Sequence, residues 1–111
     1  MINRVSFNEN EMTYRLSGEI DHHSAKTARE LIDSLIQQKK PSVLKLDFSD
    51  VSFMDSSGIG LIMGRYRMMH LYGGELCVVN VPDQLEKIMF LSGLSALGVI
   101  EKKGEAYETV E

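Results

Sequence analysis

The chain alternates short apolar runs with longer stretches whose apolar residues recur every three or four positions, and few folds accept this alternation. The clearest short run is Ser42 to Phe48, which is flanked by turn residues and predicts a strand covered on both faces. The stretch from Ser57 to Tyr72 then has the periodicity of a helix. Strands that alternate with helices predict parallel pairing through right-handed crossovers. The sequence therefore predicts an α/β fold.

The same patterns along the whole chain predict the element order β-β-α-β-α-β-α-β-α. The first two strands alternate in hydrophobicity and predict an antiparallel hairpin, so that the sheet is mixed but mostly parallel. We expect one domain, residues 1–111, with about four α-helices packed on the sheet. Beyond the elements above, strands are predicted at 2–7, 12–16, 75–80 and 97–100, and helices at 21–40, from Pro82 to Gly93, and at 105–110.

Charge and composition exclude several classes of partner. The formal net charge is −4 and no Lys/Arg patch is visible, which argues against nucleic acid. No apolar run approaches the roughly 20 residues of a membrane helix, and no signal peptide precedes the first strand. The single cysteine excludes an internal disulfide. We therefore expect a cytoplasmic protein that contacts neither nucleic acid nor membrane and needs no cofactor.

The segment Asp55–Gly60 joins the predicted central strand to the second helix. The first N–H groups of a helix lack internal partners and carry partial positive charge, so Asp55 or Ser56 is expected to cap them. The same end tolerates a phosphoryl group on Ser56 or Ser57. From the residues alone, helix capping is the more common role for these serines, and modification is the alternative.

Three glycines, Gly58, Gly60 and Gly64, lie in the first turns of this helix, where each costs about 1 kcal/mol relative to alanine. Two interpretations have equal weight. The missing side chains let another backbone or a nucleotide approach Ser56, or Gly60 and Gly64 only permit tight packing of the helix on the sheet.

Three loops are predicted at the carboxyl ends of the parallel strands, at 18–23, 49–57 and 80–83. Sites in such sheets gather at this edge, so we expect one surface with Ser56 near its middle. A small hydrolase that uses Ser56 or Ser57 would need His22 or His23 as its base. These adjacent histidines cannot act as i, i+4 metal ligands and are explained more simply as a polar helix start. Asp21 and Asp55 could pair as catalytic carboxylates, although capping explains each of them.

The run Asp47–Gly60 resembles the signature of the anti-sigma factor antagonists of the STAS domain family. The segments 17–23, 73–75 and 90–94 agree with the same family, so the resemblance covers nearly the whole chain. The double histidine and the Phe-Met-Asp-Ser-Ser-Gly sequence are most similar to the sporulation antagonists that release sigma F, and the general-stress antagonists are close relatives.

This resemblance implies a STAS-type fold and a regulatory binding protein that is not an enzyme. The unphosphorylated form would bind an anti-sigma factor that is also a serine kinase, and a sigma factor would be released. The kinase would phosphorylate Ser56, and a serine phosphatase would reset the switch. Residues expected to border the docking surface are Asp21, His22, His23, Asp55, Ser57, Gly58, Ile59 and Gly60. The alternative is a STAS scaffold or general-stress component that answers to a different kinase.

Overall fold

The computed structural model describes residues 4–101 and confirms the predicted alternation of strands and helices. Three of its elements are α-helices, and a short 3-10 helix follows them. The strands are β1 (Arg4–Asn8), β2 (Glu11–Ile20), β3 (Val43–Met54) and β4 (Glu75–Val79), and the helices are α1 (His22–Lys39), α2 (Ser56–Leu71), α3 (Asp83–Leu91) and the 3-10 helix Leu94–Leu97. The fourth α-helix, predicted at 105–110, lies outside the described residues, as does the start of the first predicted strand.

The sheet has the order β1-β2-β3-β4 and is mixed, as predicted. β1 runs antiparallel to β2, and β2, β3 and β4 are mutually parallel. The predicted final strand at 97–100 is wrong in its extent. Ile100 makes a single parallel bridge to Val78 at the edge of β4, and Leu97 belongs to the 3-10 helix.

The hydrophobic core lies between the helices and one face of the sheet. Apolar residues of β2, β3 and β4 alternate into it, and Leu44, Leu46 and Phe48 of β3 are fully buried. The opposite face carries ion pairs such as Lys45 with Glu11, whose charged atoms lie 2.9 Å apart. The expectation that β3 is covered on both faces is therefore wrong. On α3, Leu85 and Met89 are buried, whereas Leu91 at the end of the helix is 71% exposed.

β3 is longer than its sequence pattern predicts. It runs on to Met54, and β2 continues beside it to Ile20, so the predicted strand ends at Phe48 and Leu16 are wrong. Register shifts between Arg15 and Ser17 of β2, and again after Gly18, leave extra residues in β3. Such bulges break the period of two, because side chains beyond them change faces. The buried positions of β3 accordingly change from every second residue to every third.

The extended ends of β2 and β3 project past β4. Pairing of β3 with β4 ends at Asp47 and Val79, whereas β3 continues to Met54. At about 3.3 Å per residue, the part of β3 beyond Asp47 has a length of roughly 20 Å. Helices α1 and α2 begin at its tip. Within residues 4–101, no helix combines the length and the apolar character required to cross a bilayer.

Candidate functional site: two helix starts at the tip of β2 and β3

The starts of α1 and α2 lie side by side because the strands that precede them pair to their last residues. Ile20 of β2 is opposite Met54 of β3. One residue further on, the Asp55 main-chain N–H donates a hydrogen bond to the Ile20 carbonyl oxygen (3.2 Å). The predicted meeting of the loops after these two strands is therefore confirmed.

Asp55 is the N-cap of α2, which confirms one of the two predicted caps. Its carboxylate oxygen Oδ1 accepts a hydrogen bond from the Ser57 main-chain N–H (2.7 Å), and its carbonyl accepts one from the Gly58 N–H (3.0 Å). Ser56 is the first residue of the helix and is exposed, whereas Ser57 is half-buried. Because Asp55 occupies the N-cap position, the Ser56 hydroxyl is not the cap of α2.

Asp21 caps α1 through a reciprocal pair of hydrogen bonds with Ser24. The Ser24 main-chain N–H donates to Asp21 Oδ1 (2.9 Å), and the Asp21 main-chain N–H donates to Ser24 Oγ (3.0 Å). The Ser24 N–H holds the pKa of the Asp21 carboxyl below its ordinary value, because the bond favours the ionised form. His22 and His23 follow as the first, exposed residues of α1.

The third predicted loop, residues 80–83, lies at a different level of the sheet. The Asn80 side-chain Nδ2 donates to Asp47 Oδ1 (3.2 Å), at the base of the projection that carries Ser56 at its tip. The expectation of one surface formed by all three loops is therefore wrong. The physical reason is the bulged extension of β2 and β3, which moves two of the loops outward and leaves the third behind.

The three glycines of α2 have different surroundings. Gly58 is buried, and a Cβ atom there would collide with the Met54 side chain. Gly60 and Gly64 have open space where a Cβ would be. Tight packing therefore explains Gly58, whereas it does not explain Gly60 or Gly64. Ile59, between these glycines, is half-buried against the core.

A groove between α1 and α2 contains residues that the sequence patterns did not single out. It encloses about 410 Å³, and its walls include Ser57, Gly60 and Gly64 of α2. The cationic residues that line it are Lys26, Arg29, Arg65 and Arg67, with His22 at one end. Arg65 falls on the buried stripe of α2 with Leu61 and Met69, four residues to either side, and this spacing is the signal that could have identified it.

Arg65 is only 6% exposed and pairs with Asp33 of α1. Arg65 Nε lies 2.9 Å from Asp33 Oδ1, but the N–H is not aimed at the oxygen, so neither atom has a directed hydrogen bond. Burial lowers the pKa of Arg65 and raises that of Asp33, although each charge favours the other. Arg65 and Asp33 therefore carry their charges where water solvates them poorly.

The described residues supply no catalytic arrangement around the serines. Between residues 4 and 101, neither the Ser56 nor the Ser57 hydroxyl is hydrogen-bonded to a histidine. The Asp21 and Asp55 carboxylates each accept from the first turn of their own helix, which supports capping over a catalytic pair. No group of three or more metal-ligating side chains comes together in the same part of the chain.

The sequence matches known regulatory proteins along nearly its full length. Residues 4–111 match the model of the STAS domain. The chain is 40% identical over 80 residues to an anti-sigma F factor antagonist of Paenibacillus polymyxa, covering 72% of this chain and 68% of that protein. It is 35% identical over 101 residues to an anti-sigma-B factor antagonist of Bacillus subtilis (strain 168), covering 91% of each.

The fold agrees with the same relatives. The anti-sigma factor antagonist SpoIIAA in its unphosphorylated form superposes with a TM-score of 0.79 at 29% identity, over 98% of this chain and 96% of that one. The phosphorylated form of SpoIIAA, a Bacillus cell fate determinant, gives 0.72 at 29% identity over 99% and 100%. The two sequence relatives described above are anti-sigma factor antagonists, and the chain belongs to the STAS domain family.

Proposed function

We propose that this chain is an anti-sigma factor antagonist whose activity is switched by phosphorylation of Ser56. In the unphosphorylated form it binds an anti-sigma factor that is also a serine kinase, so that a sigma factor is released. Phosphorylation of Ser56 by that kinase ends the interaction. The chain thus acts as a binding protein and kinase substrate, and its STAS unit extends over residues 1–111.

The observation that carries this proposal is the exposed Ser56 hydroxyl at a helix start that Asp55 already caps. Among residues 4–101, no protein group is hydrogen-bonded to this hydroxyl, so its modification breaks no described contact. The unpaired N–H groups and the dipole of α2 favour added negative charge at this end. Ser57, by contrast, is half-buried and faces the groove between the helices.

The docking surface surrounds Ser56 on the projecting tip. We infer that the partner contacts both helix starts, with Gly60 giving it close access to α2 because nothing fills the space beside it. Gly58 is buried and acts by positioning the helix. Phe53, which is 51% exposed on the same tip, adds an aromatic anchor of the type common at interface hot spots. The remaining proposed contact residues are Asp21, His22, His23, Asp55, Ser57 and Ile59.

The phosphoryl group acts by local repulsion. It adds about 1.5 to 2 negative charges beside Asp55. A unit charge pair 4 Å apart is worth about 4 kcal/mol at an effective dielectric constant of 20. Pressed against an acidic or nucleotide-phosphate surface of the kinase, the phosphoryl group weakens binding by about a hundredfold or more. The backbone stays nearly unchanged, and large amide shifts far from Ser56 after phosphorylation would contradict this mechanism.

The anti-sigma kinase as partner also implies a phosphatase, a location in the cell and a choice of sigma factor. A serine phosphatase returns the phosphorylated form to the active state. Control of a sigma factor by an ATP-dependent kinase places the protein in the cytoplasm, and it contacts neither nucleic acid nor membrane. The matched relatives include antagonists of anti-sigma F and of anti-sigma-B factors, so the proposal covers either sigma factor. A STAS scaffold in a general-stress complex, phosphorylated by a different kinase, is the alternative.

Phosphopeptide mapping tests the proposal. The chain is incubated with ATP and the candidate anti-sigma kinase of its organism, and its intact mass is measured. One added phosphoryl group on Ser56, absent in Ser56→Ala and retained in Ser57→Ala, is the expected result. Tight binding without phosphate would support the scaffold alternative, and modification of Ser57 alone would overturn the assignment to Ser56.

A further inference from the structure

We propose that the groove between α1 and α2 binds a phosphate-class dianion, either free phosphate or a phosphate ester. Four cationic side chains, Lys26, Arg29, Arg65 and Arg67, line this groove. This concentration of positive charge occurs in a chain with a formal net charge of −4. Ser56 does not line the groove, although His22, Ser57 and Gly60 border both the groove and the proposed docking surface. Anion binding in the groove does not require the proposed switch.

The protein neutralises only part of the positive charge in the groove: Asp33 pairs with Arg65, whereas no ion pair within residues 4–101 involves Lys26, Arg29 or Arg67. Asp33 is the acidic neighbour that acts on Arg65, whereas Arg29 and Arg67 are cationic neighbours that disfavour its charge. Arg29 also acts on Asp33, so one carboxylate serves more than one guanidinium. Like charges held together in this way gain from a bound anion that interacts with several of them.

Arg65 provides a second, independent observation. It is more than nine-tenths buried, and its Nη1 and Nε atoms have no directed hydrogen bond within the described part of the chain. Both atoms are closed to solvent and Nε faces Asp33 at 2.9 Å, so an oxyanion in the groove would stabilise Arg65 through its charge. The planar fork of the guanidinium matches the oxygen geometry of phosphate.

The groove has room for such an anion. Its volume of about 410 Å³ exceeds that of one phosphate group, and therefore also admits an ester. Gly60 and Gly64, one helical turn apart, leave the wall of α2 open, because nothing occupies the space of their missing side chains. A monocarboxylate carries too little charge to compensate several cations, so the charge balance favours the dianion.

The test is an NMR titration of the full chain with inorganic phosphate at constant ionic strength. We expect saturable shifts at the amides of Gly60 and Gly64 and at Arg65 Nε. Arg29→Gln and Arg67→Gln, both at exposed positions, should each weaken binding at least tenfold. Lys87→Gln, an exposed cation on α3 outside the groove, should leave the affinity unchanged.

Parallel titrations identify the ligand chemistry. Glycerol 3-phosphate that binds as well as or better than inorganic phosphate would support an ester, and weaker binding would support the free ion. Acetate that binds as tightly as phosphate would overturn the assignment to a dianion. Absence of saturable shifts with phosphate at tens of millimolar, or equal affinity in the arginine variants, would overturn the site itself.

Discussion

The Asp55 main-chain N–H donates to the Ile20 carbonyl oxygen at 3.2 Å, and this bond joins the starts of two helices that are distant in sequence. It continues the pairing of β2 with β3 by one residue beyond Ile20 and Met54. The loop that carries Ser56 is therefore held by sheet hydrogen bonds and does not depend on α2 alone. This arrangement supports the proposal that a phosphoryl group on Ser56 changes the surface and leaves the fold unchanged.

Loss of the α2 cap should destabilise the protein. Asp55→Ala removes the acceptor of the Ser57 N–H, and we expect the free energy of unfolding to fall by about 1 kcal/mol. Asp55→Asn keeps a side-chain oxygen at the same place and should retain most of the stability. Urea denaturation of both variants measures the difference, and equal losses would mean that the carboxylate charge matters more than the cap.

Alanine substitutions at Gly58 and Gly60, which are two residues apart, should change the free energy of unfolding in opposite directions. Gly58→Ala forces a methyl group against Met54 and should cost about 1–3 kcal/mol of unfolding free energy. Gly60→Ala meets open space in a helix and should stabilise the protein by up to about 1 kcal/mol. Chemical denaturation of the two variants measures both changes in the free energy of unfolding. A stable Gly58→Ala variant would show that Met54 moves aside without cost.

The sequence predicted those parts of the fold that depend on local periodicity. The first three predicted helices, the hairpin and both acidic caps obey rules that act within one or two turns, and the structure confirms them. The extension of β3 to Met54 was missed because its bulges change the burial period from two to three. No local rule reports such a change, since the bulges are defined by the register with β2.

The site could be predicted only in part, because some of its geometry is set by tertiary structure. The motif placed Ser56 at a helix start, and hydrogen bonds across the strand ends put that start beside Asp21. The displacement of Asn80 depends on how far β2 and β3 project, which is a tertiary property. The burial of Arg65 was hidden because an arginine on a helix is ordinarily read as solvent-exposed, although its spacing matches the apolar stripe.

The capping hydrogen bond of Asp21 should lower the pKa of its carboxyl measurably. Its hydrogen bond from the Ser24 N–H lowers the pKa below 3.8, so the carboxyl should titrate below that value by NMR. Because the folded-state pKa is depressed, this contribution to stability is present above the unfolded-state pKa and is lost as the pH falls through the folded-state pKa. Asp21→Asn should remove this part of the acid dependence, and a midpoint above 3.8 in the wild type would contradict the assignment.

Phe53 should contribute to partner binding and little to folding. Its side chain is 51% exposed, so Phe53→Ala should change the unfolding free energy by less than about 1 kcal/mol. As an aromatic anchor it should contribute about 2 kcal/mol to binding of the anti-sigma kinase. Calorimetric titration of the kinase gives this difference. Phe90→Ala, at a residue that is 69% exposed on α3, is the matched control and should bind like the wild type.

The most direct test compares the affinity of the unphosphorylated and the Ser56-phosphorylated protein for the anti-sigma kinase, by calorimetry in one buffer. Local repulsion predicts that phosphorylation weakens binding by about a hundredfold or more, with the far-ultraviolet circular dichroism unchanged. Equal affinity of the two forms would contradict the central claim that Ser56 is the switch.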